Sequence, residues 1–579
     1  MKFNKLTKWI VCALLLVLLL SACEASDGVD TDTSVPVADA EITTTSAIDA
    51  ADTTVPSVDA ESIAMADLTK YVLVRPENAD EDLVDAVKDL RDALKKSVGI
   101  ELTIKSDLHF DSVPAFKIGE FEILIGDCDR DESRQFEKQL RKDDYGYAMI
   151  GKKLVISGGS EQARIKAVER FIISVAKQQS ADDEWFYDGA EQFIQKGKYS
   201  IDTLTLQGSD ISEYVIVYSE NNGIAEALAS ELSDRIASAS GYKLSITSDK
   251  SPQTNKEILI GTTNRTDPAP QAPEAGTYII SAKDTTVCVR GADSVGDYCA
   301  VHALIDALVQ NASATHHVTL SEVDLRTVPA DNELKAMSFN ILASSATAER
   351  KLSVTQTIVN NLPDTIGVQE ASTEWMTYLN SKLGGLYANV GNGRDGGAAG
   401  EHCAIFYRKD RFELIETGTK WLSDTPDTVS KYSESTLNRI LTYAILLEKS
   451  SNTKILYVNT HLEHGKAVEA RDKQIKIVME FLKGYTQYPI VLTGDFNSSQ
   501  TTDVYKLVTA TLADSSQIAK TAEIFHTFHK YGVSSSYLDY IFVTKQSIAV
   551  SHYRVVVEPA NGMLPSDHYP LLIKYSIAG

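Results

Sequence analysis

The pentapeptide Glu-Ile-Leu-Ile-Gly occurs twice, at 122–126 and at 257–261, and each copy sits in a longer matching run that constrains the first half of the chain. Tyr71-Val72-Leu73-Val74 corresponds to Tyr214-Val215-Ile216-Val217. Each is followed by a helical pattern, 82–97 and 224–240, that stops at Gly99 or Gly241. Arg130 and Arg265 each stand four residues past the pentapeptide glycine. An apolar strand, a glycine turn and an amphipathic helix complete each copy, at 153–176 and 286–309. Strand, helix, strands, helix is the pattern of a small α/β sandwich, so two such domains are expected, at 62–205 and 206–330.

At 579 residues the chain exceeds one core. Lys2, Lys5 and Lys8 precede an apolar stretch, Trp9 to Leu20, too short to span a bilayer comfortably. With Leu20-Ser21-Ala22-Cys23 it resembles a bacterial lipoprotein signal over 1–23. That resemblance implies cleavage before Cys23, a lipid such as palmitate on that cysteine, and an exported protein tethered to a bacterial cell membrane on its extracellular or periplasmic side. Residues 24–61 are acidic, rich in Ser, Thr and Ala, and lack aromatics, as expected of a disordered stalk. Cys128, Cys288, Cys299 and Cys403 show no Cys-x-x-Cys spacing and read as isolated apolar thiols, with a Cys288–Cys299 bridge as the alternative.

The net charge is −24, yet Leu334 to Gly579 carries 24 Lys+Arg against 24 Asp+Glu, so the acidity lies in the front half. It says little about what the rest binds. From 334 onward, β-branched apolar runs alternate with helical patterns at 348–362, 374–383 and 467–483. Continuously apolar strands require a sheet covered on both faces. Two packed sheets with helices outside, a four-layer α/β sandwich over 331–579, satisfy this. Four runs end in acid, amide or imidazole groups: Ser338-Phe339-Asn340, Val368-Gln369-Glu370, Thr493-Gly494-Asp495-Phe496-Asn497 and Ser566-Asp567-His568. Such strand ends make sense if they converge on one metal-and-phosphate site.

Together with Asn459-Thr460-His461-Leu462 and Leu538-Asp539-Tyr540-Ile541-Phe542, these segments resemble, in order and approximate spacing, the endonuclease/exonuclease/phosphatase superfamily, which includes deoxyribonuclease I, abasic-site endonucleases, inositol polyphosphate phosphatases and bacterial sphingomyelinases. The resemblance implies a hydrolase acting on ester bonds of phosphate, dependent on Mg²⁺ or Mn²⁺. It makes Glu370 the principal metal ligand, assisted by Asn340 and Asp567. Asp495 would position or activate water and Asn497 would bond phosphate, their side chains pointing the same way from alternate positions of a strand end. His568 would be oriented by Asp539, His461 would pair with Glu401, and Arg439 would face phosphate. His402 and His464 are expected at the surface.

Phe412 to Pro426, with its Gly-Thr-Lys-Trp-Leu-Ser-Asp-Thr-Pro, looks like a segment of a broad bacterial branch; Ser433-Glu434-Ser435-Thr436 departs from that branch. The two N-terminal copies resemble the non-catalytic α/β domain of exported hexosaminidases, which implies a spacer or a glycan- or protein-contacting role for 62–330. Nuclease, sphingomyelinase-like phospholipid phosphodiesterase and sugar- or inositol-phosphate phosphatase are all compatible with the motifs. No Lys/Arg cluster favours a nucleic acid, and no apolar or aromatic run marks a membrane-contacting loop. A non-catalytic surface binding protein is the reading of a different class.

Overall fold

The computed structural model describes residues 62–109, 117–176, 186–190, 192–266, 272–330 and 332–577. The expected signal with Cys23 and the expected stalk at 24–61 lie outside these residues.

The two N-terminal domains have the same sheet. In the first, the strand order is Ile104–Ser106, Val72–Arg75, Glu122–Ile125, Lys153–Gly158, Tyr145–Ile150, Phe193–Gln195; in the second it is Ser245–Ser248, Val215–Tyr218, Glu257–Ile260, Thr286–Gly291, Thr277–Lys283, Asp324–Thr327. In both, the first four strands are parallel and the fifth runs antiparallel to its neighbours on either side. The helices Glu81–Val98 and Ala225–Ser240 end where expected, at Gly99 (φ 75°) and Gly241 (φ 80°), whose left-handed backbone a side chain would strain. Atom-level contacts repeat as well. Glu122 Oε1 accepts from Gly119 N and its Oε2 from Arg130 Nε, just as Glu257 accepts from Thr254 N and Arg265 Nε. The strand Thr203–Leu206 pairs with Thr315–Val318, so it lies with the second domain, slightly ahead of the expected boundary at 206.

The C-terminal half holds two mixed sheets. One runs Tyr387–Val390, His402–Arg408, Thr365–Ala371, Leu334–Asn340, Leu571–Ile577, Ile548–Val555, Thr521–Glu523; the other runs Phe412–Trp421, Ile440–Glu448, Thr453–His461, Ile490–Asp495, Asp539–Val543, Ala513–Asp514. An apolar layer that includes Ile405, Tyr457, Ile541, Tyr553 and Tyr575 fills the space between them. Near the site the sheets are joined by polar groups. Asn459 Nδ2 donates to the carbonyls of Val368 and Ala404, and Gln369 Nε2 donates to Asn459 Oδ1. The helices Ala348–Asn361 and Thr373–Leu383 flank the first sheet and Val468–Lys483 the second. This is the expected sandwich; the long strand Phe412–Trp421 was not foreseen as one.

The second N-terminal domain is not a bead beside this sandwich. One apolar core runs through both, from Leu228, Leu232 and Leu304 to Met337, Phe339 and Trp375. Seven consecutive residues of the Ala348–Asn361 helix, Ser353 to Val359, are buried. Gln356 and Asn360 on that helix donate to the buried carboxylate of Glu231. The expected alternative of a Cys288–Cys299 bridge is not formed, and of the four described cysteines Cys299 alone is half-buried.

Candidate active site

Strand register brings the chemistry together. In the second sheet, His461 lies opposite Asp495 and Asp495 opposite Asp539. In the first, Asn340 pairs with Gln369, one residue before Glu370. Asn340 then links the sheets, its Nδ2 donating to Glu370 Oε1 at 3.0 Å and to Asp495 Oδ2 at 3.1 Å.

The backbone bends to make this arrangement. Glu370 sits in a bulge between Val368 and Ala371 with φ 61°, and Leu342 and Asn497 have φ of 55° and 49°. A residue with a Cβ pays roughly 1–2 kcal/mol in this region, a strain typical of sites where function fixes the geometry. The bulge delivers the Glu370 carboxylate, whose Oε2 accepts from Ala343 N. Asn497 lies past the strand rather than alternating on it. Asp495 Oδ1 accepts from Asn497 N at 2.8 Å, and this turn, not strand periodicity, carries Asn497 Nδ2 to 3.1 Å from His461 Nε2.

The two imidazoles are held in opposite charge states. His568 Nδ1 is 2.8 Å from Asp539 Oδ2. Burial opposes charge on this ring, but Asp539, then Asp495, outweighs it and pushes His568 up to about 10. Burial first, then the Arg439 cation, holds His461 well below its ordinary range. A neutral His461 Nε2 can accept from the Asn497 amide. Both rings approach the same Asp495 Oδ2, at 3.4 and 3.8 Å. Burial, followed by the Asp539 charge, pushes Asp495 up to about 7.

The expected Glu401–His461 pair is not formed. Glu401 accepts from Arg394 Nη1 at 2.6 Å, although Glu401 and His461 line one narrow cleft with Glu370, Arg394 and Arg439. The reason is electrostatic: Arg394 offers a charge, and the neutral His461 does not. Arg394 was missed in the sequence; its signal is a lone cation in the glycine-rich run 391–400. Arg439 is buried, 3.2 Å from His464 Nδ1 and 3.6 Å from Glu463, and its Nε has no hydrogen-bond partner among the described residues. His402 is buried, against expectation, because it belongs to a strand and bonds the Ala371 carbonyl; His464 is exposed as expected.

Glu370 and Asp567 supply hard oxygen donors. Burial raises Asp567; the charge of His568 offsets part of that and the charge of Glu370 adds to it. The two carboxylates interact electrostatically, and neither has a Lys or Arg ion pair among the described residues, which fits a divalent cation such as Mg²⁺. Asp495, Asp539 and His568 also bring ligand atoms within 4.8 Å of one another. A protonated imidazole has no lone pair for a metal, so that trio fits a hydrogen-bonded relay better than a metal cage.

Residues 337–568 match the Endonuclease/Exonuclease/phosphatase family. The CCR4-Not complex 3'-5'-exoribonuclease subunit Ccr4 of Mycosarcoma maydis is 24% identical over 245 residues, covering 30% of this chain; the chain spans 36% of that relative's length. Among solved structures, an endonuclease/exonuclease/phosphatase family protein of Bacteroides thetaiotaomicron is 30% identical over 42% of this chain and 97% of its own, with a TM-score of 0.39. A mannosyl-6-phosphatase of the same organism is 30% identical over 42% of this chain and 99% of its own, with a TM-score of 0.38.

Proposed function

The chain belongs to the endonuclease/exonuclease/phosphatase family, and on that premise we propose that it is a divalent-metal-dependent phosphoesterase that hydrolyses a phosphate ester by in-line attack of water. The observation that carries this reading is the pair of imidazoles whose Nε2 atoms both approach Asp495 Oδ2, at 3.4 Å for His461 and 3.8 Å for His568, with His568 Nδ1 bonded to Asp539. Asp495, titrating near neutrality, accepts the proton of the attacking water. His568, bonded through Nδ1 to Asp539, donates its Nε2 proton to the ester oxygen as that oxygen's bond to phosphorus breaks, so the alcohol leaves neutral. Asn497 and His461 fix the Asp495 carboxylate and bond the phosphate, and Arg439 and Arg394 add positive charge at the cleft. Glu370 and Asp567, with Asn340 between the carboxylates, would hold Mg²⁺ or Mn²⁺, which when bound supplies charge neutralisation at the phosphoryl group.

Glu370→Gln should abolish metal-dependent hydrolysis of bis-p-nitrophenyl phosphate; undiminished turnover would remove the assignment. We further propose export and anchoring to a bacterial membrane through a lipid on Cys23, with 24–61 as a stalk and 62–330 available for glycan or protein contact. Cys23→Ser should then move the protein from the membrane fraction to the soluble one, and unchanged sedimentation with membranes would count against the anchor. The balanced charge of the catalytic half gives no support to a nucleic-acid partner.

A further inference from the structure

The segment between the Thr521–Glu523 strand and the Asp539–Val543 strand leaves large apolar side chains in water: Ile524 is 57% exposed, Phe525 46%, Tyr531 52% and Val533 79%. In sequence they are split into 524–525 and 531–533 by the buried Thr527 and His529, so they form no continuous apolar run. The segment is bolted to the site. His529 N and Lys530 N both donate to the carbonyl of Asp567, at 3.0 and 3.1 Å. The Phe528 ring lies 4.7 Å from the His568 imidazole, centroid to centroid. Behind this contact the rings form a ladder. Tyr569 stacks on His529 at 4.1 Å and meets Phe525 at 5.9 Å, while Tyr531 stands edge-on to His529 at 5.7 Å.

Tyr531 is held out deliberately. It and Lys530 have φ of 51° and 45°, two consecutive side-chain-bearing residues in left-handed backbone. Such strain persists only where the surroundings over-determine it, and it clusters at ligand-binding segments. Tyr531 directly follows Lys530, whose N–H is bonded to the carbonyl of Asp567, so the segment that carries its ring is fixed to a proposed metal ligand. Exposed aromatic area beside a reaction centre, backed by rigid rings, is suited to receive one flat face of a ligand.

We propose that Tyr531, supported by the Phe525–Tyr569–His529 ring ladder, is a specificity-determining platform on which the pyranose ring of a hexose phosphate stacks while its phosphate occupies the site; this rests on the phosphoesterase reading. A pyranose offers an apolar C–H face bordered by hydroxyls. The platform offers an aromatic face carrying the Tyr531 hydroxyl, with Lys530 next to Tyr531 in the chain and the His526 ring 4.1 Å from Phe525. A polynucleotide would need a track of cations for its backbone, and the catalytic half is neutral.

The test compares kcat/KM for glucose 6-phosphate and glycerol 3-phosphate, both esters of a primary alcohol but only one with a ring, in the full chain with Mg²⁺. The native protein should prefer the hexose at least tenfold. Tyr531→Ala and Tyr531→Gly should each collapse that ratio tenfold or more, chiefly through KM for the hexose, and Tyr531→Phe should restore it. Tyr531→Gly carries a second readout: glycine relieves the left-handed strain, so its Tm should rise even as discrimination is lost. A ratio unchanged in Tyr531→Gly would overturn the platform. So would a native protein that ignores hexose phosphates while cleaving nucleotides or phospholipid vesicles. Absence of hydrolysis of every ester, bis-p-nitrophenyl phosphate included, would instead remove the parent reading.

Discussion

Arg350 should be the residue whose loss the site feels most without any contact to substrate. Its side chain is 3% exposed and makes five hydrogen bonds, all to carbonyls: Nε to Ser345, Nη1 to Ile341 and Pro565, Nη2 to Leu342 and Ser344, over 2.6–3.0 Å. The guanidinium also lies 4.8 Å from the Trp375 ring. These carbonyls belong to the loop after Asn340 and the loop before Asp567, so one cation ties together two segments that carry proposed metal ligands. At ~1.5 kcal/mol per bond from a charged donor, the five would contribute roughly 7 kcal/mol. Desolvating the cation costs several kcal/mol. Arg350→Met, which keeps an apolar stem, should therefore destabilise by about 3–4 kcal/mol, and Arg350→Lys, with three donors and no fork, by about 2 kcal/mol. Urea unfolding followed by tryptophan fluorescence measures this. The Mg²⁺ concentration for half-maximal hydrolysis should rise about tenfold or more in Arg350→Met, as happens when groups that orient ligands are lost. An Arg350→Met protein within about 1 kcal/mol of native stability, a shift typical of ordinary substitutions, and with unaltered Mg²⁺ dependence would refute the reasoning.

Because His568 is pushed up from 6.5 to about 10, its pairing with Asp539 stabilises fully below pH 6.5 and that contribution is lost as pH rises through about 10. Asp539→Asn should flatten the stability–pH curve across that window and move the alkaline limb of the rate profile down by about one pH unit or more; parallel curves for the two proteins would contradict the charge assignment. A Cβ at Gly367 would lie 2.0 Å from Thr493 Oγ1 and 2.7 Å from Asn459 Oδ1. Gly367→Ala should thus cost about 2–3 kcal/mol, as overpacking does, and Thr493→Ala in the same chain should recover part of it; a Gly367→Ala melt that overlays the native one would rule out so close an approach of the sheets.

The sequence was most readable where strand ends carry the chemistry. Asp495, Asn340 and Glu370 close apolar runs and Asp539 opens one, and strand pairing then does the rest. His568 with Asp539 follows the same logic. Partner choice was less readable. Glu401 was assigned to His461, but the competing cation, Arg394, lies in a glycine-rich loop with no periodicity to place it. Asn497 was placed on a strand that ends two residues earlier, because a left-handed turn leaves no mark on an asparagine. The aromatic platform was invisible for a related reason. Exposed Phe525 and Tyr531 are interleaved with buried Thr527 and His529, so no apolar run appears. In the N-terminal copies, Arg130 and Arg265 were recognised as equivalent, whereas their shared task of neutralising a buried strand glutamate needed coordinates.

The Ala348–Asn361 helix, outermost in a sandwich standing alone, is here covered on every side along its middle two turns, since Ser353 to Val359 are buried in succession and Glu231 of the second domain grips it. That makes the second domain and the sandwich one melting unit. The first domain keeps cores of its own, built from residues such as Leu90, Phe171, Val74 and Phe136. Three sheet-bearing domains should therefore appear in a calorimeter as two transitions, a smaller one for the first copy and a larger one in which the second copy and the catalytic half come apart together.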